Sequence, residues 1–257
     1  MCGIIGYTGG ANAVPRLLEG LESLEYRGYD SAGIAVFDTN NALKVVKSKG
    51  RLALLRDKLN HLADKLEGHC GIGHTRWATH GEPSDVNAHP HGTPRVYIVH
   101  NGIIENYHEI KDFLVGKSYD FVSETDTEIA AKLIDYYFVE TSDPTAAMQK
   151  AIAHLSGSYA IGAVFAGHPD TIYATRKDNP LIVAVSDNGN FIASDIPAVL
   201  KYTNRYFRIE EGEVAVVTAK AVTVLSRDGK TVEKKLETAD WNVEAAEKGG
   251  YEDFMMK

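Results

Sequence analysis

The chain contains only two cysteines, Cys2 and Cys70, in 257 residues. Two thiols are too few for the disulfide scaffold of a small secreted domain, and this count is typical of a reducing compartment. The sequence also lacks a basic segment followed by the long apolar stretch of a secretory signal. We therefore expect a cytoplasmic protein, in which at least one thiol has a role to be explained.

Long apolar runs and an excess of basic charge are also missing. No apolar run approaches the roughly 20 residues needed to span a bilayer, and the formal net charge is −8. We expect no membrane span and no nucleic-acid partner, since binding to nucleic acid requires a basic surface. Hydrophobic residues make up 44% of the chain, which predicts an ordinary globular protein with a sizeable core.

Recognisable metal-binding motifs are absent, although histidines are frequent in one region of the chain. The histidines of this region are His74, His80, His89, His91 and His100. Neither HExxH nor CxxC spacing accompanies them, and Cys70 stands alone. We expect no metal ion and no other cofactor.

The spacing of apolar residues predicts helices and strands in turn up to about residue 100, helices in the middle of the chain and mainly strands after Gly157. Helices are expected at about residues 12–25, 51–66, 127–138, 144–155 and 197–202. Strands are expected at about residues 33–37, 43–48, 70–75, 96–100, 159–165, 171–176, 181–185, 191–194, 206–209, 214–218 and 222–225. Two sets of mostly antiparallel strands with helices between them predict an α/β (α+β) fold, with two stacked sheets under helical layers.

The last part of the chain differs from the rest in composition. From Ala239 onward it is largely polar, and the apolar residues Phe254 to Met256 come only at the end. We expect residues 1–238 to form one domain, and residues 239–257 to begin a linker to a further domain.

Cys2 is a candidate nucleophile because removal of Met1 would leave it with both a thiol and a free α-amine. That amine, with a reference pKa of about 7.7–8.0, can accept the thiol proton and later deliver it to a leaving amide nitrogen. The alternative is a small buried residue that happens to come second. If Met1 is retained, the amine lies in a peptide bond and the site is inactive.

The segment Gly73–Gly81 follows a predicted strand and contains a candidate anion site. The planar guanidinium of Arg76 suits a carboxylate held by two hydrogen bonds, and Thr79 and His80 would add donors. The alternatives are a surface ion pair for Arg76 and ordinary core packing for Trp77.

Two further segments carry polar groups that would bind the same substrate. The Asn101 amide and the Gly102 N–H would form an oxyanion hole, the alternative being an ordinary Asn-Gly turn. Asp126 would hold an ammonium group, the alternative being a helix N-cap. A carboxylate-binding Arg76 and an ammonium-binding Asp126 describe a pocket for a free α-amino acid, whose side-chain carbonyl the thiol would attack.

Five segments closely resemble the N-terminal glutaminase domain of the glucosamine-6-phosphate synthase family, which belongs to the class II glutamine amidotransferases. These segments are Met1–Gly6, Leu24–Gly33, Gly73–Gly81, His100–Asn106 and Ser123–Glu128. The resemblance covers essentially the whole chain. Amidotransferases that make phosphoribosylamine or asparagine share the Cys-Gly start. The residues of segments Tyr26–Asp30, Thr75–His80 and Ser123–Asp126 match those enzymes less well.

The resemblance implies an N-terminal-nucleophile hydrolase fold, a four-layer αββα sandwich, and hydrolysis of L-glutamine to glutamate and ammonia. The implied catalytic residues are Cys2, Asn101 and Gly102, and the implied glutamine-binding residues are Arg76, Thr79, His80, Gly102 and Asp126. Trp77 would gate the passage of ammonia. Arg27 and the loop of residues 74–81 would close over bound glutamine, excluding water and retaining ammonia.

The resemblance also implies a larger enzyme. In the family, sugar-isomerase-type lobes that this chain lacks transfer the ammonia to fructose 6-phosphate, giving glucosamine 6-phosphate, and we expect the full-length enzyme to be a homo-oligomer. The sequence leaves two other functions to compare with this one. A glutamine-binding regulatory domain without turnover stays an alternative. A cysteine peptidase is disfavoured, because Arg76 and Asp126 would clamp both ends of a free amino acid.

Overall fold

A computed structural model describes residues 2–78 and 81–240 of the chain. Its helices are α1 (Ala13–Ser23), α2 (Leu52–Asn60), α3 (Tyr107–Val115), α4 (Asp126–Thr141) and α5 (Pro144–His154), with 3₁₀ turns at Glu25–Arg27 and Ile196–Ala198. Its strands are β1 (Gly3–Gly9), β2 (Ser31–Phe37), β3 (Leu43–Lys49), β4 (Cys70–Arg76), β5 (His91–Gly92), β6 (Val96–Ile104), β7 (Gly157–Phe165), β8 (Thr171–Lys177), β9 (Ile182–Ser186), β10 (Gly189–Ala193), β11 (Arg205–Arg208), β12 (Val214–Thr218), β13 (Val222–Leu225), β14 (Thr231–Val232) and β15 (Glu237–Thr238).

The strands form two sheets, and every ladder between neighbouring strands is antiparallel. The first sheet has the order β15-β11-β9-β10-β1-β4-β2-β3, and the second has the order β14-β13-β12-β8-β7-β6-β5. The predicted arrangement of two mostly antiparallel sheets is confirmed. Strand β1 lies inside the first sheet, between β10 and β4.

Three apolar layers separate the elements. Leu17 and Leu21 of α1 pack on the outer face of the first sheet, together with α2. Ile4 and Ile72 of the first sheet pack against Val99 of the second, which forms the layer between the sheets. Helices α3, α4 and α5 cover the outer face of the second sheet. This is the four-layer αββα sandwich that the resemblance implied.

Helix boundaries agree with the sequence where a capping residue fixes them. Asn12 precedes α1, and its side chain accepts a hydrogen bond from the Val14 N–H at 3.1 Å. Asp143 caps α5 in the same way, and Pro144 occupies the first turn, where its missing N–H costs no hydrogen bond. Both helices are predicted to within two residues.

Several expectations about local structure are wrong, and some elements were missed. Helix α2 ends at Asn60 rather than near residue 66. The predicted helix at 197–202 is the short 3₁₀ turn Ile196–Ala198. Strand β1 was missed because its glycines weaken strand propensity. Helix α3 was missed because it buries only Ile110 and Leu114.

Among the described residues, no helix combines the length and the apolar character needed to cross a membrane. The site-bearing segments come from both sheets, since β1, β2 and β4 belong to the first sheet and β6 to the second.

Candidate active site

Cys2 lies immediately before β1, at the edge where neighbouring strands of the first sheet end. Because Gly3 pairs with Thr75 of β4, Cys2 lies beside the residues that leave that strand. The Trp77 N–H donates a hydrogen bond to Cys2 Sγ at 3.2 Å, and the thiol is 3.6 Å from the Trp77 carbonyl oxygen. Cys2 is partly exposed, whereas Cys70 is fully buried between the sheets.

The surroundings of Cys2 keep its thiol protonated near neutral pH. Burial raises the pKa of the Cys2 thiol above its ordinary value, and the hydrogen bond from the Trp77 backbone offsets this only in part. A protonated thiol is a weak nucleophile, so attack by Cys2 requires a base that removes its proton.

The Cys2 carbonyl oxygen is held from two sides by residues far away in sequence. Asn101 Nδ2 donates to it at 2.9 Å, and Arg27 Nε donates to it at 3.2 Å. Arg27 also forms a salt bridge of 2.8 Å with Asp195, which accepts a hydrogen bond from the Tyr26 hydroxyl at 2.7 Å. Arg27, predicted as part of the closure over glutamine, therefore contacts the candidate nucleophilic residue directly.

Asn101 and Gly102 lie within β6, which continues to Ile104. The expectation that the strand ends before them is wrong, and the alternative of an ordinary turn is excluded by their pairing with Ala160 and Tyr159 of β7. Gly102 has φ of +123°, and a Cβ there would lie 2.0 Å from the Ser158 carbonyl oxygen. Only glycine fits this position.

Asp126 is the first residue of α4, and Thr125 is the N-cap, accepting a hydrogen bond from the Glu128 N–H. The N-cap alternative for Asp126 is therefore wrong. Asp126 Oδ2 instead accepts a hydrogen bond of 2.8 Å from the Ile104 N–H, which ties α4 to the end of β6.

The structure also contradicts the alternative interpretations of Arg76 and Trp77. Arg76 is only 4% exposed and donates through Nη2 to the Gly81 carbonyl oxygen at 3.0 Å, so it is not a surface ion pair. Trp77 is 48% exposed and meets Tyr29 edge-on at 5.6 Å between ring centroids, so it is not core packing. Thr79 and His80, two of the predicted glutamine-binding residues, lie outside the described residues.

The prediction that a closing loop begins at His74 is wrong, because residues 74–76 belong to β4. Two residues of this site, Asp30 and His74, had no individual role in the predictions. The Asp30 carboxylate accepts a hydrogen bond from the Ala78 N–H, and the Asp30 N–H donates to the Arg76 carbonyl oxygen at 3.1 Å. His74 Nε2 lies 3.0 Å from Asn101 Oδ1. The signal for His74 was its spacing of two from Arg76, which puts both side chains on one face of β4.

Four of the histidines noted in the sequence form a buried cluster. His74 stacks on His89 with 4.0 Å between ring centroids, and His89 meets His91 edge-on at 5.0 Å. Burial lowers the pKa of all four rings, that of His74 and that of His91 to about 3. The fourth ring is that of His100. Across residues 2–78 and 81–240, no three His, Cys, Asp or Glu side chains are arranged to hold a metal ion.

Known proteins resemble this chain in sequence. A model of the glutamine amidotransferase domain matches residues 74–201. The chain is 52% identical, over 259 residues, to glutamine–fructose-6-phosphate aminotransferase [isomerizing] of Clostridium perfringens (strain 13 / Type A). The chain belongs to the glutamine amidotransferase family. The protein of the same name from Thermococcus kodakarensis is 45% identical to this amidotransferase over 260 residues.

The match covers all of this chain but only 42% of the Clostridium perfringens protein and 43% of the Thermococcus kodakarensis protein. This amidotransferase chain thus spans about two fifths of the length of the curated relatives it matches, and the activity of a whole relative does not transfer to it directly.

Solved structures share the fold at lower sequence identity. Glutamine phosphoribosylpyrophosphate (PRPP) amidotransferase from B. subtilis superposes with a TM-score of 0.74 and 24% identity, covering 88% of this chain and 49% of that one. A glutamine aminotransferase class-II domain protein from Silicibacter pomeroyi superposes with a TM-score of 0.60 and 18% identity, covering 88% of this chain and 99% of that one. The predicted N-terminal-nucleophile hydrolase fold is confirmed.

Proposed function

We propose that this amidotransferase domain hydrolyses L-glutamine to glutamate and ammonia, with Cys2 as nucleophile once Met1 has been removed. The observation that carries the proposal is the convergence of Cys2 and Asn101. These residues are 99 positions apart in sequence, and Cys2 precedes a strand of the first sheet whereas Asn101 lies in the second, yet Asn101 Nδ2 lies 2.9 Å from the Cys2 carbonyl oxygen. Acyl transfer needs a nucleophile and a hydrogen-bond donor for the developing oxyanion, and Cys2 and Asn101 would supply them.

In the first step, the α-amine of Cys2 takes the thiol proton while Sγ attacks the side-chain carbonyl carbon of glutamine. The C–N bond then breaks, and the amine delivers its proton to the departing nitrogen, which leaves as ammonia. Water attacks the thioester and gives up a proton to the amine, so that glutamate leaves and the thiol is restored. The α-amine is needed as a base, because a protonated thiol is a weak nucleophile.

The negative charge that develops on the attacked carbonyl oxygen would be held by Asn101 and Gly102. The Asn101 amide group has two N–H bonds, and only one is needed for the Cys2 carbonyl oxygen. The other is left for the oxyanion. The positive φ of Gly102 turns its peptide away from regular strand geometry, which supports a second donor at the same place.

The α-carboxylate of glutamine would be held by Arg76, with Thr79 and His80, and its α-amine by Asp126 and the Gly102 carbonyl. The burial of Arg76 supports this assignment, since a shielded guanidinium binds a carboxylate more strongly than an exposed one. Trp77 would gate ammonia, and its partial exposure beside Cys2 supports this assignment. Arg27 and the segment between β4 and Gly81 would close over the substrate.

We further propose that the full-length enzyme passes the ammonia to fructose 6-phosphate, making glucosamine 6-phosphate for amino-sugar biosynthesis as a cytoplasmic homo-oligomer. The shared name of the similar curated proteins supports the sugar substrate. Residues 1–238 would form the glutaminase domain, and residues 239–257 would lead toward the sugar-binding part. The packing of this domain extends to Ala239, whose N–H donates to Asn204 at 2.8 Å.

The test is glutamate release from glutamine by the purified protein, with its N-terminal mass recorded. Protein that begins at Cys2 should release glutamate, and Cys2→Ala should not. Cys70→Ala is the matched control, because it removes the other cysteine from the core between the sheets and leaves the site intact. Activity in Cys2→Ala, or loss of activity in both variants alike, would refute the assignment of the nucleophile.

A glutamine-binding regulatory domain without turnover is the second candidate. It predicts that protein beginning at Cys2 binds glutamine in calorimetry but releases no glutamate, even as the full-length enzyme with fructose 6-phosphate present. If Met1 is retained, the Cys2 amine lies in a peptide bond and cannot act as a base, and the protein would then behave as this candidate predicts.

A further inference from the structure

We infer that His74 is a positioning residue, which fixes the orientation of the Asn101 side-chain amide and thereby points its N–H groups at Cys2. The inference rests on the proposed glutaminase function and adds to it a residue that touches neither the nucleophile nor the substrate. It starts from two contacts of one ring nitrogen. His74 Nε2 lies 3.0 Å from the His100 carbonyl oxygen and 3.0 Å from Asn101 Oδ1.

The first contact determines where the proton of His74 resides. A backbone carbonyl oxygen can only accept hydrogen bonds, so the contact with His100 requires a hydrogen on Nε2. Burial lowers the pKa of His74 to about 3, which keeps the ring neutral with a single N–H. That hydrogen is therefore on Nε2, and Nδ1, which has no hydrogen-bond partner in the described part of the chain, carries none.

The second contact then determines how the Asn101 amide is turned. Because His74 Nε2 carries a hydrogen, the Asn101 atom facing it must be an acceptor, namely Oδ1. Nδ2 is then left to donate to the Cys2 carbonyl oxygen. A flipped amide would bring two donors together at His74 and two acceptors together at Cys2. The choice between these orientations follows from the proton on His74.

The surroundings of His74 hold the ring in place. His74 has no exposed surface, and His89 stacks on it with an interplanar angle of 11°. His89 is fixed in turn, because its Nδ1 accepts from the His100 N–H at 3.3 Å and its Nε2 lies 3.4 Å from Thr127 Oγ1. The ring that stacks on His74 is thus held between strand β6 and the start of α4.

The decisive variants are His74→Phe, which keeps a planar ring and removes the donor, and His74→Gln, whose amide nitrogen can replace Nε2. For His74→Phe we expect kcat for glutamine hydrolysis to fall at least about tenfold, up to the 10²–10³-fold typical of a lost oxyanion donor. KM should stay near the wild-type value, because Arg76 and Asp126 bind the other end of glutamine. His74→Gln should recover much of kcat.

A double-mutant cycle distinguishes positioning from general loosening. If His74 acts through Asn101, His74→Phe should have almost no further effect on kcat in protein that already carries Asn101→Ala. Ile72→Ala, on the same strand and in the core between the sheets, is the matched control for destabilisation. It should lower the melting temperature without the selective fall in kcat. Multiplicative effects of His74→Phe and Asn101→Ala, or an unchanged kcat in His74→Phe, would overturn the inference.

A measurement that does not depend on turnover separates this inference from the proposed function. Nitrogen-15 NMR of the full-length protein should show His74 neutral with its hydrogen on Nε2, and a hydrogen on Nδ1 would overturn the inference whatever the glutaminase result. If wild-type protein beginning at Cys2 hydrolyses glutamine and His74→Phe does so equally well, only the role of His74 fails. If the wild-type protein is inactive, the proposed function fails, and the NMR result still decides about His74.

Discussion

Acid should unfold this domain through its four buried histidines, well before its carboxylates are protonated. His74, His89, His91 and His100 are each at most 5% exposed. Burial lowers the pKa of every one of them in the folded protein. In the unfolded chain their pKa returns to about 6.5. Below that pH the unfolded chain binds more protons than the folded one, so the free energy of unfolding falls as the pH falls.

The size of the effect follows from the number of rings. Each histidine that is protonated only in the unfolded chain lowers the free energy of unfolding by about 1.4 kcal/mol per pH unit. The three rings of His74, His89 and His91 have folded-state pKa values far below 6.5, so the slope should approach about 4 kcal/mol per pH unit near pH 5. The contribution is complete above about pH 6.5 and is lost toward the folded-state pKa of His74 and His91, about 3. A typical total stability of about 5–15 kcal/mol would be exhausted within this window.

The assay is equilibrium urea unfolding followed by circular dichroism, repeated between about pH 7 and pH 5. His91→Gln should reduce the slope by the equivalent of one proton, since glutamine does not titrate and can keep hydrogen bonds to Asn87 and Thr125. His61→Gln is the control, because the His61 side chain is 76% exposed. A wild-type slope of less than one proton, or equal slopes for the two variants, would refute the reasoning.

Three further predictions concern the site. Asn101→Ala should lower kcat for glutamine hydrolysis about 10²–10³-fold with little change in KM, as steady-state kinetics would show; an unchanged kcat would remove Asn101 from the oxyanion site. Arg76→Lys should raise KM about 10- to 100-fold, because an ammonium cannot make the paired hydrogen bonds of a guanidinium; an effect confined to kcat would contradict carboxylate binding. Gly102→Ala should lower the free energy of unfolding by more than about 1 kcal/mol, because its Cβ would lie 2.0 Å from the Ser158 carbonyl oxygen. Gly10→Ala, with open space around the new Cβ, should change the denaturation midpoint little, and equal shifts would be evidence against the close contact.

The helices that the sequence predicted well are those with local signals. Capping by Asn12 and Asp143, and leucines at helical spacing in α1, act within a few residues of the chain. Helix α2 was predicted too long because leucine spacing continues past Asn60. After the helix, Gly68 lies close against the Phe37 carbonyl oxygen, a tertiary contact that local spacing does not contain.

In the candidate site, too, the residue types could be predicted from the sequence, whereas contacts between distant residues could not. Residue types suited to nucleophile, oxyanion hole and amino-acid clamp were visible in Cys2, Asn101, Gly102, Arg76 and Asp126, and their roles stay predictions until the variants are measured. Neither the contact of Arg27 with the Cys2 carbonyl oxygen nor the contact of His74 with Asn101 could be predicted. Both join residues at least 25 positions apart, and the second one spans the two sheets.

The sequence by itself determined most of the helices and strands, the presence of two mostly antiparallel sheets, and the family to which the chain belongs. These properties depend on short-range spacing and on residue identity, which a linear chain displays. The tertiary structure decided which atoms meet at Cys2, which hydrogen His74 carries and which way the Asn101 amide points. Those outcomes depend on strand register and on the stacking of one sheet on the other, because hydrogen bonds between distant residues form only when the layers bring their donors and acceptors within about 3 Å.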